Sequence, residues 1–157
     1  MLPHNLHVVL MEPSFDPDSG YLPVGIHPWP WADFLAAFAW NQRRRFLAGG
    51  LYRALCNLKM AGCRSAIVDG SFVTAKELPG DYDAAFDPNG VNGLLVDPVL
   101  LRHTDGRKAM KAKYFGDLFP WGHVACQATG MIYQDFFQQD REGQAKGVVL
   151  LDVKALP

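Results

Sequence analysis

Residues 65–86 read SAIVDGSFVTAKELPGDYDAAF, and their pattern predicts two strands joined by a loop of glycine, proline and polar residues. The apolar, β-branched run at 65–68 ends at the dipeptide Asp-Gly, which predicts a buried strand followed by a tight turn. Residues 82–86 predict a second strand that ends at the turn sequence DPNG of residues 87–90. We therefore take these two strands and their loop as the centre of the fold.

Two acidic residues stand at the start of the second strand, on either side of Tyr82. Because side chains alternate along a strand, Asp81 and Asp83 project from one side of the sheet and Tyr82 from the other. Two neighbouring carboxylates repel each other, whereas a hard divalent cation removes the conflict by accepting their oxygens as ligands. Mg²⁺ also keeps waters and accepts substrate phosphates. The pattern therefore predicts a Mg²⁺ site at Asp81 and Asp83.

The loop after the first strand carries groups that bind phosphate. Gly70 and Ser71 would present backbone N–H groups and a hydroxyl, and glycine lets a phosphate come close to the backbone. Thr74 and Lys76 add further donors, although Lys76 is equally consistent with a solvated turn. The candidate nucleotide-binding residues are therefore Gly70, Ser71, Thr74 and Lys76.

A Gly-Ser pair, a gap of nine residues and an Asp-x-Asp together resemble the signature of the minimal nucleotidyltransferase superfamily. The alternative is that the same residues form two ordinary turns, because Gly, Ser, Asp and Pro all favour loops. The wider layout also resembles a family of small uncharacterised bacterial and phage proteins over most of the chain. The segments that carry this second resemblance are LPxGIH at 22–27, DGSFVT at 69–74, PGDxD at 79–83, Asp97-Pro98 and Phe136-Phe137.

The resemblance implies a polymerase-β-like palm in which Gly70 and Ser71 contact a nucleoside triphosphate (NTP) and Asp81 and Asp83 hold Mg²⁺. The acceptor hydroxyl would then attack the α-phosphorus in line. The superfamily uses a third carboxylate on a neighbouring strand, which completes the metal site and orients or deprotonates the attacking hydroxyl. Asp117, at the start of a strand predicted around residues 118–119, is the first candidate, and Asp152 is the second.

The rest of the chain alternates helical and strand patterns, which predicts an α/β (α+β) domain with a small mixed sheet flanked by helices. We expect one domain over residues 1–157, with an irregular, proline-rich N-terminal arm over 1–30. The remaining predicted helices are one from residue 31, one over 46–58, a short one after Asp97-Pro98, one over 107–115 and one over 131–138. A final strand is predicted over 148–153.

Composition fits a packed domain without a strong field. The chain has 157 residues, of which 49% are hydrophobic and 20% charged, and its formal net charge is −1. This balance gives no overall attraction to nucleic acid or to an acidic membrane. The three cysteines, Cys56, Cys63 and Cys126, lack paired metal spacing and predict reduced thiols. With no signal peptide or membrane-length apolar run, we expect a cytoplasmic protein.

Other candidate sites have simpler explanations. The arginine run at 43–45 and the basic stretch at 107–113 are typical of solvated helix faces. Aromatic residues over 29–40 could stack a base, but their helical spacing favours core packing. The histidines lack the i, i+4 spacing of a zinc site; they are His4, His7, His27, His103 and His123.

These observations lead to one functional hypothesis and two alternatives. We expect a Mg²⁺-dependent nucleotidyltransferase that moves a nucleoside monophosphate from an NTP such as ATP to a hydroxyl on a protein or RNA. Resemblance alone adds a toxin–antitoxin or phage-defence setting, with a toxin as the partner. The first alternative is a catalytically silent module that binds a partner protein, and the second is a structural phage protein with a coincidental turn motif. The oligomeric state stays open.

Overall fold

The computed structural model describes residues 13–157, which form a five-stranded mixed sheet, a two-stranded hairpin and four α-helices. The predicted fold class, α/β with a small mixed sheet flanked by helices, is confirmed. The strands are β1 Gly25–Pro28, β2 Ser65–Asp69, β3 Tyr82–Phe86, β4 Gly116–Pro120, β5 Val124–Cys126, β6 Met131–Ile132 and β7 Gly147–Asp152. The helices are α1 Trp31–Phe38, α2 Gln42–Met60, α3 Lys108–Tyr114 and α4 Tyr133–Phe136. Residues 1–12 of the predicted arm, with His4 and His7, lie outside the described residues.

The sheet has the strand order β1-β7-β2-β3-β4. Strand β2 lies at its centre and pairs antiparallel with both β7 and β3. The outer pairs, β1 with β7 and β3 with β4, are parallel. The connection from β3 to β4 runs through residues 87–115, which include α3 and provide the crossover that parallel neighbours need.

One face of the sheet is covered by helices α1, α2 and α3, and we call it the helix face. Alternate sheet residues such as Ala66, Val68, Ala84 and Leu118 pack here in one apolar core. Helix α2 contributes leucines at helical spacing, which are Leu47, Leu51, Leu55 and Leu58. Gly50 lets α2 approach α3, because a Cβ there would overlap the carbonyl oxygen of Tyr114.

The opposite face, which we call the cleft face, packs a smaller apolar cluster. Ile67, Ala85, Phe119 and Val148 of the sheet contact Phe137, which directly follows α4. The cover on this face is the β5–β6 hairpin with α4 and the loop that leads to β7. This cover is smaller than the one on the helix face, and the carboxylates described below line the part that stays open.

Arg44 departs from the prediction of a solvated arginine run. Its side chain is fully buried, and its guanidinium lies 3.5 Å from the ring centroid of Trp40. The two terminal nitrogens donate to backbone carbonyls at 2.5–2.9 Å, which belong to Phe38, Phe72, Thr74 and Lys76. Arg44 therefore fastens the loop after β2 to helix α2, while its neighbour Arg45 is exposed.

Two other elements differ from the sequence-based expectation. The arm that was predicted to be irregular contributes β1. Gly25–Pro28 can form this strand because it lies at the edge of the sheet, where a proline is tolerated. The segment predicted as helix over 131–138 begins as strand β6, and α4 is a single turn. In the described part of the chain, no helix is long and apolar enough to cross a membrane, and the three cysteines are unpaired.

Candidate active site

Three aspartates lie side by side on the cleft face, on three neighbouring strands and near one end of each. The register pairs Asp69 of β2 with Asp83 of β3, and Asp83 with Asp117 of β4. Neighbouring strands lie about 4.8 Å apart, and residues paired in register project from the same face. Asp69 and Asp117 are buried, and Asp83 is partly buried. We call these three residues the acidic row.

Asp81 and Asp152 differ in their relation to this row. Asp81 immediately precedes β3, two residues before Asp83, and its negative charge raises the pKa of Asp83. Asp152 pairs in register with Ser65, at the opposite end of β2 from Asp69, and it caps the backbone N–H of Lys154. Of the two candidates for the third carboxylate, the structure therefore brings Asp117 and not Asp152 next to Asp83.

The middle of the row is electrostatically unsatisfied. Burial, together with the charges of Asp81, Asp69 and Asp117, raises the pKa of Asp83 to about 7, and the positive charge of Lys146 opposes the shift only in part. Burial also raises the pKa of Asp69, against the opposing effect of Lys146. Near neutral pH the row therefore carries more negative charge than the neighbouring cations neutralise. A bound cation would relieve this repulsion.

Cations from other elements already neutralise the two ends of the row. Lys146 Nζ lies 2.9 Å from an Asp69 carboxylate oxygen. At the other end, Arg107 Nε lies 3.1 Å and Lys111 Nζ 3.6 Å from oxygens of Asp117. Among residues 13–157, no lysine or arginine forms an ion pair with Asp83. The compensation is therefore at the ends, and the centre is left free.

The acidic row forms the floor of a cleft of about 1130 Å³. One side of this cleft, which we call the aromatic wall, consists of Phe119, Tyr133, Phe136 and Phe137. The loop over residues 139–143 and Lys146 line the other side. Tyr21 donates to the carboxylate of Asp140 at 3.0 Å and so ties the start of the described chain to this loop. The size suits a small-molecule ligand with both polar and aromatic parts.

The predicted phosphate-binding loop divides into two parts. Gly70 adjoins the row: its φ is +82°, and a Cβ there would lie 3.1 Å from a carboxylate oxygen of Asp83. Ser71 follows and opens a single 3₁₀ turn over Ser71–Val73. The Thr74 hydroxyl instead donates to the Ser71 carbonyl at 2.7 Å, and Lys76 is exposed. Of the predicted site residues, Asp83 and Asp117 line the described cleft, whereas Gly70, Ser71, Thr74, Lys76 and Asp81 are not among its lining residues.

The donor set suits a metal that is shared with a substrate. Within residues 13–157, no three histidine, cysteine or acidic side chains lie as a ready-made metal cluster. Asp83 nevertheless offers a partly buried carboxylate without a cationic partner, with Asp81 and Asp117 beside it. Mg²⁺ is commonly held by one or two carboxylates together with water and phosphate oxygens. These residues therefore fit Mg²⁺ that arrives with a phosphate ligand.

The sequence-based hypothesis missed several residues of this site. Asp69 stood in the quoted motif but was not chosen, although its position at the end of β2 gives it the same parity as Asp83 in the neighbouring strand. Lys146, just before β7, has no motif. Arg107, just before α3, belongs to the basic stretch that was predicted to be solvated, but it pairs with Asp117 instead. The aromatic wall includes the Phe136-Phe137 pair, whose approach to the acidic row depends on the hairpin that the sequence did not predict.

Fold and site together define an α/β protein with an acidic row across a mixed sheet, facing a cleft with one aromatic wall. Comparison of sequences then gives the family. The chain belongs to DUF6932, a family of unknown function whose model matches residues 13–152. No curated protein and no solved structure shows a significant match. The functional argument therefore depends on the geometry of the site.

Proposed function

We propose that the protein is a Mg²⁺-dependent nucleotidyltransferase that transfers a nucleoside monophosphate from an NTP to an acceptor hydroxyl. The observation that supports this most is the register of Asp83 with Asp117 on parallel neighbouring strands, with Asp81 two residues before Asp83. The Gly70-Ser71 turn adjoins the same carboxylates. This combination supports the palm-like site that the sequence resemblance implies.

Each group has a role that its position allows. Asp81 and Asp83 would hold the metal, and the backbone N–H groups near Gly70 and the Ser71 hydroxyl would bind phosphate oxygens. When bound, Mg²⁺ neutralises charge on the reacting phosphate. Asp117 would orient the acceptor hydroxyl and accept its proton, because it is the third carboxylate beside the metal residues. The bond to the α-phosphorus forms as the bond to the pyrophosphate leaving group breaks.

The acceptor and the cellular setting come from resemblance rather than from geometry. We propose a hydroxyl on a partner protein or at an RNA end, in a cytoplasmic toxin–antitoxin or phage-defence system. A protein partner is compatible with the size of the cleft, because a single serine, threonine or tyrosine hydroxyl needs little room beside an NTP. Transfer of label from an α-labelled NTP to a component of the host lysate would identify the acceptor.

One observation favours the alternative of a silent module that binds a partner protein. Lys146 pairs with Asp69, and Arg107 and Lys111 pair with Asp117, so the ends of the row are neutralised without any metal. In such a module the carboxylates would serve as buried structural ion pairs. The two proposals differ at Asp83. The pKa of this carboxyl group is raised, and a silent module offers no ligand that would explain why the site keeps such a group.

Thermal unfolding with and without Mg²⁺ and each NTP tests the nucleotide site. Wild type is compared with a double variant, Asp81→Asn with Asp83→Asn, and with Asp152→Asn as the matched control at the far end of the sheet. A ligand at 100 times its Kd stabilises the folded state by about 2.7 kcal/mol, which raises Tm by several degrees. We expect a Mg²⁺-dependent rise that the double variant loses and the control keeps. No rise with any NTP would favour the silent module.

A further inference from the structure

The aromatic wall is built to hold flat groups face to face. The rings of Phe119 and Tyr133 are stacked, with their centroids 4.1 Å apart and their planes within 8°. The Arg107 guanidinium, another planar group, lies 5.2 Å from the Phe119 centroid. Arg107 also contacts Asp117, so one side chain connects the acidic row to the aromatic wall.

The wall has a buried back and an accessible front. Phe119 and Phe137 are buried in the cluster on the cleft face. Tyr133 is only partly buried, and Phe136, one turn further along α4, is 39% exposed. Their rings meet edge to face, at 83° and 6.5 Å between centroids. Exposed aromatic surface inside a cleft, beside convergent charged groups, is typical of a ligand site.

The position of the wall relative to the row sets the shape of the ligand. Phe119 follows Asp117 by two residues on β4, so the two side chains share a face and their Cα atoms lie about 7 Å apart along the strand. A ligand that reaches from the carboxylates to the wall must bind a cation or cationic side chains at one end and be flat and apolar at the other. A nucleoside phosphate has this form, because a ribose separates its flat base from its first phosphate.

We propose that the aromatic wall binds the base of the nucleotide, which stacks face to face on Phe136 and meets Tyr133 edge to face at the mouth of the cleft. This inference rests on the proposed function, because it names the substrate class of the same site. Stacking on aromatic rings tolerates any base but grows with the size of the π-face. The site therefore takes purine nucleotides, ATP and GTP, in preference to CTP and UTP.

Calorimetric binding of two Mg²⁺ complexes separates the base from the phosphates. The probes are Mg²⁺-ATP, which carries a base, and Mg²⁺-tripolyphosphate, which does not. Phe136→Leu removes the ring face but keeps an apolar side chain at an exposed position. The matched control is Phe46→Leu on α2, which is also exposed and also packs against another aromatic ring, that of Phe115, but lies outside the described cleft. Circular dichroism checks that both variants keep the fold.

For wild type we expect Mg²⁺-ATP to bind roughly 5- to 100-fold more tightly than Mg²⁺-tripolyphosphate, since stacking of a base contributes that much. Phe136→Leu should lose most of this advantage and bind tripolyphosphate as wild type does, while Phe46→Leu should keep it. CTP should show a smaller advantage than ATP.

Two results would overturn the inference alone. If wild type binds ATP and tripolyphosphate equally well, or if Phe136→Leu keeps the full preference for ATP, the base does not stack on this wall. The proposed function survives that outcome as long as tripolyphosphate binding requires Mg²⁺ and is lost in Asp83→Asn. If wild type binds neither probe, the inference and the proposed function fail together.

Discussion

The two faces of the sheet use the same strands for different purposes. On each of the three strands that carry the acidic row, the residue next to the aspartate projects to the helix face and is apolar or aromatic; these neighbours are Val68, Tyr82 and Leu118. Even the Tyr82 hydroxyl is satisfied there, because it donates to the Tyr114 carbonyl at 2.6 Å. Strand alternation therefore keeps folding determinants on one face and reactive groups on the other.

The faces also treat buried charge differently. The helix face buries Arg44, whose two terminal nitrogens donate to several carbonyl oxygens while its Nε has no partner. Burial lowers the pKa of Arg44 only to about 10, so it stays charged at neutral pH. The cleft face buries carboxylates with cations only at the ends of the row. A polar group that its own fold satisfies serves the structure, whereas one that the fold leaves unsatisfied marks a candidate binding site.

Removal of the cation on the helix face should have the largest effect on stability. Arg44→Met would leave four carbonyl groups without their donor, two in a buried and two in a partly buried setting. Because unsatisfied buried polar groups cost about 1–3 kcal/mol each before relaxation, we expect the free energy of unfolding to fall by about 4 kcal/mol. Urea unfolding measures the change.

The neighbouring residue provides the control for this substitution. Arg45 is exposed on the same helix, and Arg45→Met should change the free energy of unfolding by less than about 0.5 kcal/mol. Equal effects of the two variants would show that the buried guanidinium does not hold the loop, and the contrast between the two faces would then lose its main support.

The sequence predicted the helix face well because its signals are local. Helical spacing of leucines gives α2, the β-branched run gives β2, and the turn at residues 87–90 ends β3. It did not predict β1, because prolines dominate that segment and pairing with β7, more than a hundred residues away, decides its structure. Arg44 was missed for a similar reason: within a run of three arginines, only tertiary packing selects the one that is buried.

The site was predictable to the extent that it follows strand parity. Asp81 and Asp83 share a side by alternation, and Asp117 could be chosen because it begins a strand after a helix. The partners Lys146 and Arg107 could not, because ion pairs between distant segments leave no periodic trace in the sequence. The cleft itself needs the β5–β6 hairpin, which is too short to give a strong pattern.

The cleft face should show its charge repulsion in the pH dependence of stability. Because the folded pKa of Asp83, about 7, lies above the unfolded value near 3.8, the folded state binds the proton more tightly. The contribution of Asp83 to the free energy of unfolding is therefore largest below about pH 4, and it falls as the pH rises towards 7. We expect Asp83→Asn to raise the free energy of unfolding at pH 8 by about 2 kcal/mol, measured by urea unfolding without metal.

The same experiment has a control at the far end of the sheet. Asp152 is exposed, and Asp152→Asn should leave the decline between pH 4 and 7 unchanged. A decline that persists in Asp83→Asn would assign it to other groups and remove the evidence for an unsatisfied centre. If the site is adapted to a ligand, Asp83→Asn should be more stable than wild type without ligand and should lose the response to Mg²⁺ and NTP.

The smallest effect concerns the cation at the end of the row. Lys146 neutralises Asp69, so Lys146→Gln would make the row more negative where the metal is proposed to bind. The cleft is open to water, and at a dielectric constant of about 80 one added unit charge about 8 Å from a divalent cation contributes about 1 kcal/mol, or about fivefold tighter binding of that cation without nucleotide. Titration with Mn²⁺, followed by its electron paramagnetic resonance signal, measures the affinity. Substitution of an exposed lysine beyond β7, Lys154→Gln, should leave the affinity unchanged.

If Lys146→Gln binds Mn²⁺ no more tightly than wild type, then Asp69 and Lys146 form a structural pair outside the metal site. The acidic row would then reduce to Asp83 and Asp117 with Asp81 beside them, and the cleft face would contain one buried ion pair of the kind that serves the fold.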